Sequence, residues 1–269
     1  MRAIGPVAFP VLPFVTVRVL QQTKLRYRRP MRRVFVSTSV YALAHQVGMV
    51  AAIEEFKRQL DLPTKDALPV VRTITRIRNL DAEIGLHVDA GATFIGMARS
   101  RAFHEAYKSG LPWISVDDDI DVTMDLAAAM LDVICEPDPV PRLVFVPYLT
   151  RDDRPRLTMN IPLVRVEREW KGAKLLTFPK GQGGGFGMVG MSRLAMEHVV
   201  KYAEGTPELT WYDDGERKLA LFYERLEDGL WQGEDTSFYR YRIPPTVTVE
   251  ALLTGTCVHA GVPLNLATL

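Results

Sequence analysis

Three consecutive carboxylates, Asp117-Asp118-Asp119, close the apolar run Trp113-Ile114-Ser115-Val116 and put clustered negative charge at the tip of an expected buried strand. Carboxylates this close repel one another when desolvated, so a divalent cation or a hydrogen-bonded ligand is the natural compensation. A solvated acidic turn is the alternative that the triplet alone leaves open. A second acidic pair, Glu234-Asp235, follows Trp231-Gln232-Gly233 where a helix is expected to begin and run through Arg240 and Arg242. The helix dipole favours ionised carboxylates there, the state a general base needs, although a plain acidic helix start has the same composition. Between the two lies Gly181-Gln182-Gly183-Gly184-Gly185-Phe186-Gly187, whose missing side chains would let a ligand approach the backbone. It has neither the terminal Gly-Lys-Ser/Thr of a phosphate-binding loop nor the strand-to-helix setting of a dinucleotide fingerprint, so a mobile loop fits it equally.

Positioning these groups falls to alternating strands and helices. Val34-Phe35-Val36 reads as a strand, and Ser37-Thr38-Ser39 after it suit the carboxyl end of a parallel strand. Apolar residues Val47, Met49, Val50, Ile53, Phe56 and Leu60 have helical spacing within a stretch from about Ala44 to Leu60. Val70-Val71-Arg72-Thr73-Ile74 reads as a second strand, and a helix from Ala92 to Lys108 is ended by Gly110 and Pro112. Thr123 then caps a helix through Ile134. This alternation predicts an α/β fold with a largely parallel central sheet flanked by helices, whose ligands gather at strand carboxyl ends. After Pro137 the rhythm changes to short β segments, Leu143–Val146, Leu163–Val166 and Leu175–Phe178, with one helix starting near Ser192. Three regions follow: an N-terminal arm over 1–33, an α/β half over 34–136 and a mixed half over 137–269 that shares the same sheet.

With 269 residues, 47% hydrophobic and 24% charged, the chain has ordinary globular composition and can bury one large core or two small ones. Its formal charge of +1 provides no global field for nucleic acid or a membrane surface. The local run Lys24, Arg26, Arg28, Arg29, Arg32 and Arg33 around Tyr27 could hold phosphates or anionic lipid, or stand as a solvated arm. Pro6, Pro10, Pro13 and Arg18 interrupt Ile4–Leu20, so that stretch reads as neither a signal peptide nor a transmembrane segment. Cys135 and Cys257, widely separated and in no metal-like spacing, suggest packed, reduced thiols in a cytoplasmic protein, with peripheral membrane contact left open.

Taken in order, Ala98-Arg99-Ser100-Arg101, the Asp117–Asp119 triplet, the glycine-rich loop, Gly233-Glu234-Asp235 and His259-Ala260-Gly261 resemble the pattern of the GT-A fold nucleotide-sugar glycosyltransferases. The resemblance runs from about Val34 to Pro263 and rests on order and spacing, each motif being short. It implies a Rossmann-type sheet and a Mn²⁺ or Mg²⁺ ion that neutralises the departing diphosphate. By that resemblance Asp119 binds the metal directly, Asp117 touches the ribose or a metal-bound water, Asp118 lies by the donor, and His259 completes the coordination. An imidazole ligand suits Mn²⁺ better than Mg²⁺. Arg99 would face the donor sugar or phosphate, and Arg101, two positions on, would face elsewhere. Ser37 or Thr38 would contact the base or ribose, and Gly184 and Gly185 the donor. Asp235 would take the proton of the acceptor hydroxyl, Glu234 would orient donor or acceptor, and a single displacement with inversion follows, with UDP the expected nucleotide.

Competing readings remain at this stage. Asp119-Ile120-Asp121-Val122-Thr123 also matches the Asp-x-Asp-x-Thr pattern of haloacid-dehalogenase-like phosphatases, with Asp119 as nucleophile. A nucleotidyltransferase on a similar sheet would need a glycine-rich loop after the first strand, where Ser37 to Gly48 holds one glycine. A non-catalytic sugar-binding domain could use Trp170, Trp211, Tyr212, Trp231, Tyr239 and Tyr241 as stacking surfaces. The acceptor is open among a saccharide, a lipid-linked group, a small molecule and a hydroxylated DNA base held through the 24–33 segment.

Overall fold

Val34 to Thr38 are buried at every position, so the strand they form has no solvent face and lies in the interior of a sheet covered on both sides. The computed structural model describes residues 15–19, 32–61, 64–90, 94–136, 140–159, 166–205, 210–213 and 215–269. Its first half comprises β1 (Val15–Val19), β2 (Arg32–Ser39), α1 (Tyr41–Val47), α2 (Met49–Leu60), α3 (Pro69–Arg78), β3 (Ala82–Asp89), α4 (Ile95–Ser109), β4 (Trp113–Val116), β5 (Ile120–Val122) and α5 (Met124–Ile134). The second half continues with β6 (Arg142–Phe145), β7 (Val166–Trp170), β8 (Ala173–Thr177), β9 (Met188–Met191), α6 (Arg193–Glu204), β10 (Thr210–Asp213) and β11 (Glu216–Leu219). It closes with β12 (Arg225–Glu227), β13 (Leu230–Gln232), α7 (Glu234–Tyr241), β14 (Thr248–Leu253), β15 (Thr256–His259) and β16 (Val262–Asn265).

The α/β class holds, but the sheet is mixed and not largely parallel. Nine strands follow the order β1-β3-β2-β4-β9-β6-β14-β8-β7, and only β2 with β3, β2 with β4, and β6 with β14 run parallel. The reversal comes from β9, which inserts antiparallel between β4 and β6 so that Met191 faces both Trp113 and Leu143. Strand direction depends on which long-range partner a segment meets, and apolar patterning carries no such information. A small sheet, β16-β15-β5, joins β4 through the turn at residues 117–119 and sets His259 opposite Ile120.

Val70–Ile74 is helix, not strand. Pro69 stands in the first turn, where its missing N–H is no loss, and Val70, Val71, Thr73, Ile74 and Ile77 form one buried stripe at helical spacing. Five β-branched or apolar residues in a short window suit either structure, and the strand itself lies later, at β3. The long helix expected over 44–60 is broken into α1 and α2 at Gly48, whose φ of +84° a side chain would resist. Thr123 sits at the N-cap of α5 but does not cap it, because its hydroxyl accepts from the Thr256 amide at 3.0 Å. Ser192 does cap α6, accepting from Ala195 N.

Val15–Val19, read as part of the N-terminal arm, pair with β3 at the sheet edge. Of the basic run, positions 24–31 lie outside the described residues, while Arg32 pairs with Asp132 and Arg33 with Glu83 at 3.0 Å. Positions 163–165 of the expected Leu163–Val166 strand are likewise outside. Among the described residues, no helix is long and apolar enough to cross a membrane.

Both cysteines are free, and burial pushes the Cys135 thiol up to about 11 and the Cys257 thiol up to about 12. The thiolate is the reactive form and is populated below about one part in a thousand near pH 7.5 at such values. Iodoacetamide at that pH is therefore expected to leave the native protein unmodified over an hour and to label both thiols after guanidinium denaturation. Intact-mass spectrometry reads this directly, and rapid native labelling would refute the packing described.

Candidate functional site

Strand β4 delivers Asp117 to the edge where β2 also ends, and the turn is held there because Asp117 N donates to Gly187 O at 2.8 Å and Ile120 N to Asp117 O at 3.2 Å. Gly233 precedes α7 and starts Glu234 and Asp235 at its first turn. The two acidic centres are joined by one side chain. Arg99, on α4 and 7% exposed, donates from Nη1 to Glu234 Oε1 at 2.6 Å and from Nη2 to both Asp117 oxygens at 3.1 Å. Its guanidinium also lies 5.1 Å from the centre of the Phe186 ring. Helix α4 reaches this position through Gly96, where a Cβ would stand 2.6 Å from Phe222 O and 3.5 Å from Glu234 Cβ. Arg101 faces away toward Asp89, as two-residue spacing on a helix requires.

Burial works against the charge on Arg99, but Asp117 and Glu234 more than compensate and its pKa rises. Burial raises both carboxyls, and Arg99 offsets only part of that, so Asp117 and Glu234 stay above the usual carboxylate range. Arg99 thus already holds two carboxylates with Nη1 and Nη2, which leaves Nε, buried and without a hydrogen-bond partner among the described residues. Asp117, expected at the ribose or the metal, has both oxygens accepting from that guanidinium.

Asp119 and His259 form the second element of the site. Strand β15 presents His259 beside the acidic turn, and Ala260 N donates to Asp119 O at 3.1 Å. His259 Nδ1 lies 2.7 Å from Leu149 O, and since a carbonyl only accepts, Nδ1 carries the hydrogen. Nε2 then faces Asp119 Oδ2 at 3.4 Å, two electron-rich atoms that need a proton or a cation between them. Two donors bound to one metal at about 2.0–2.2 Å stand about 3.0–3.5 Å apart, so the pair fits a divalent ion, with the Leu149 carbonyl orienting the imidazole. Among the described residues no cluster of three or more His, Cys, Asp or Glu surrounds one point. Asp119 and His259 would therefore supply two donors and leave the rest to ligand and water.

Arg151, on the loop bridged by Leu149 and Leu157, reaches the same Asp119 oxygen at 2.7 Å. Burial pushes Asp119 up, yet His259 and Arg151 outweigh it and hold the carboxyl below its usual range. Burial likewise depresses His259, and Asp119 with the Leu149 carbonyl overcomes that and raises it.

The remaining expected residues divide. Ser37 is buried and its hydroxyl accepts from the Trp113 indole at 2.9 Å, a core contact that removes it from nucleotide binding. Thr38 points to the other face, and its buried hydroxyl has no partner among the described residues. Asp118 lies in the same turn, and its carbonyl accepts from Val70 N at the start of α3. Asp121, second acid of the phosphatase pattern, is held by Arg72 at 2.8 Å and by Arg76, away from Asp119's partners.

The glycine loop packs closely against aromatic rings. A Cβ on Gly184 would stand 2.2 Å from Phe145, on Gly185 2.5 Å from the Tyr148 hydroxyl, and on Gly183 2.4 Å from Tyr239. The missing side chains admit the protein's own aromatic rings, and Gly184 and Gly185 are buried. The same segment, with Tyr148, Asp235, Thr236 and Tyr239, lines a cavity of about 360 Å³.

Of the other aromatics, Trp170 packs under Arg142, Arg168 and Lys171 beside buried Glu250, and Tyr241 donates to Glu227. Trp231 is exposed on a hairpin opposite Leu226, and the side chains of Trp211 and Tyr212 lie outside the described residues. Tyr148 and Arg151 escaped the sequence reading, since each sits in irregular chain after β6 where no period or motif marks a residue.

Fold and site together define an α/β protein with a buried arginine linking two acidic centres beside an Asp–His pair. No family model, curated protein or solved structure matches the chain.

Proposed function

We propose that this protein is a metal-dependent glycosyltransferase of the GT-A type, moving a sugar from a nucleotide-diphosphate sugar, with UDP the nucleotide suggested by motif resemblance, to an acceptor hydroxyl with inversion. The observation that carries the reading is the Arg99 bridge, which places the strand-end carboxylates and the helix-start carboxylates at one site. The parallel trio β3-β2-β4 with Asp117 beyond β4 is the part of the sheet that supports the GT-A assignment.

A Mn²⁺ or Mg²⁺ ion at Asp119 and His259 would supply positive charge to the departing diphosphate. Arg151, exposed beside Asp119, presents a further cation on the same side. Thr38, at the end of β2, has a buried hydroxyl without a partner among the described residues and would be the β2 group to meet the nucleoside. Glu234 is anchored by Arg99, which leaves Asp235, one residue on, to accept the acceptor's proton.

The test is thermal melting with a panel of nucleotide sugars, with and without Mn²⁺, for the native chain and Asp119→Ala. A donor at one hundred times its dissociation constant stabilises by about 2.7 kcal/mol, or on the order of 5–10 °C for a chain of this size. The Mn²⁺-dependent part is expected to disappear in Asp119→Ala. Absence of any such stabilisation in the native chain would defeat the proposal, and stabilisation without release of free nucleotide would mark a binding module.

A further inference from the structure

The cavity beside Asp235 differs in electrical character from its surroundings. Its volume is about 360 Å³, near the lower end of the range for small-molecule sites, and among the described residues neither Lys, Arg nor His lines it. Asp235 is its one acidic lining residue among the described residues. The site's nearby cations are already engaged by other carboxylates: Arg99 by Asp117 and Glu234, and Arg151 and His259 by Asp119. An anion is therefore favoured on the Asp119 side and opposed on the Asp235 side, where a phosphate would lose water beside a carboxylate with no countercharge in the lining.

The walls are aromatic and held in place. Tyr239 packs on Gly183 and Tyr148 on Gly185 so closely that neither glycine has room for a methyl group. Among the described residues the buried Tyr239 hydroxyl makes no well-formed hydrogen bond, though the Gly184 backbone lies close enough to influence its ionisation. Thr236 and Gln182 add neutral polar groups at the exposed mouth. Flat apolar faces with neutral donors and acceptors match a sugar ring, which has C–H faces and a hydroxyl rim.

The geometry points to this cavity as the acceptor subsite, taking the uncharged pyranose terminus of a saccharide and rejecting phosphorylated acceptors, an assignment that rests on the glycosyltransfer reading. In the step it implies, the acceptor oxygen bonds to the anomeric carbon as its proton passes to the Asp235 carboxylate. The bond from that carbon to the diphosphate oxygen breaks, and its electron pair leaves with the nucleoside diphosphate. A nucleic acid suits the approach less well, because Glu224, Glu227 and Asp228 outnumber Arg225 along the chain that leads into Asp235.

Saturation-transfer NMR on the full chain with UDP and Mn²⁺, using neutral methyl pyranosides and their 6-phosphates as probes, tests this. At least one neutral pyranoside is expected to bind, with its phosphate at least about tenfold weaker, a difference of the size one unpaired charge produces. Asp235→Asn is expected to narrow that gap, and Tyr239→Phe, which preserves ring packing, to weaken the neutral probe severalfold. Failure of every neutral pyranoside to bind, equal or tighter binding of the phosphates, or preferred transfer onto a duplex carrying hydroxymethylcytosine would each overturn it. If Mn²⁺-dependent nucleotide stabilisation persists while the pyranosides fail, only the acceptor assignment falls. If that stabilisation is missing from the native chain, the glycosyltransfer reading falls first and takes the acceptor assignment with it.

Discussion

Asp235→Asn is expected to lower the rate of sugar transfer by about 10²–10⁴-fold, the usual contribution of a positioned general base, while leaving the donor bound. Asparagine keeps the shape of the side chain and an oxygen to accept from Thr236 N, which Asp235 Oδ1 does at 2.6 Å, so the first turn of α7 is retained. What it loses is the capacity to take a proton. In the proposed reaction donor binding would depend on Asp119, His259 and Arg151, which the substitution does not touch. Single-turnover transfer with saturating donor isolates the step, and the Mn²⁺-dependent melting shift reports donor occupancy in the same variant. A loss of less than about threefold, far below the contribution of a general base, would place the base elsewhere.

Arg99→Leu is expected to cost about 3–5 kcal/mol of stability near neutral pH, because it strands two partly buried carboxylates that share one guanidinium. For a chain of this length that is on the order of a 10 °C fall in melting temperature. The deficit depends on pH in a definite direction. Asp117 and Glu234 are already raised in the folded protein, chiefly by burial, with Arg99 offsetting part of the rise. A carboxyl whose folded pKa lies above its unfolded value takes up a proton on folding, so its contribution is most favourable below the unfolded pKa and is lost as pH rises through the folded one. Without Arg99 both carboxyls shift higher still. The deficit should therefore be greatest at neutral pH and shrink on acidification toward the unfolded carboxylate range, as protonation removes the need for a counterion. Melting curves across pH test this, and adding Glu234→Gln to Arg99→Leu should recover part of the loss. A deficit that is the same at every pH would mean that lost packing against Phe186, and not stranded charge, is what the substitution removes.

Much of the site was legible from short-range chemistry. An apolar run ending in carboxylates marked β4 and its turn, and Gly233 with two acids marked the start of α7. Helix patterns and end signals located α4 and α5 within a few residues and marked the start of α6. His259 was paired with Asp119 by motif order, and the two lie within reach of one metal ion. Other residues misled for identifiable reasons. In Val70–Ile74 β-branched content outweighed a helical stripe too short to read. Ser37 had the right residue type at the right strand end, but alternation turned it into the core against Trp113. Gly183 to Gly185 suggested room for a ligand; the space of their missing side chains is taken by Tyr239, Phe145 and Tyr148, while the same segment lines the cavity beside Asp235.

Sequence alone determined the residue types available for chemistry and the local elements that hold them, because caps, periodicity and charge repulsion act over a few residues. Tertiary structure alone decided which of those groups meet. Arg99 and Glu234 are 135 positions apart, and their contact exists because α4 packs through Gly96 against the segment leading into α7. The antiparallel entry of β9 between β4 and β6, and the meeting of the glycine loop with Asp235 and Tyr239 around one cavity, arise in the same way. Strand direction and the neighbours of a buried charge are set by long-range packing, where the energy of each contact depends on partners far away along the chain.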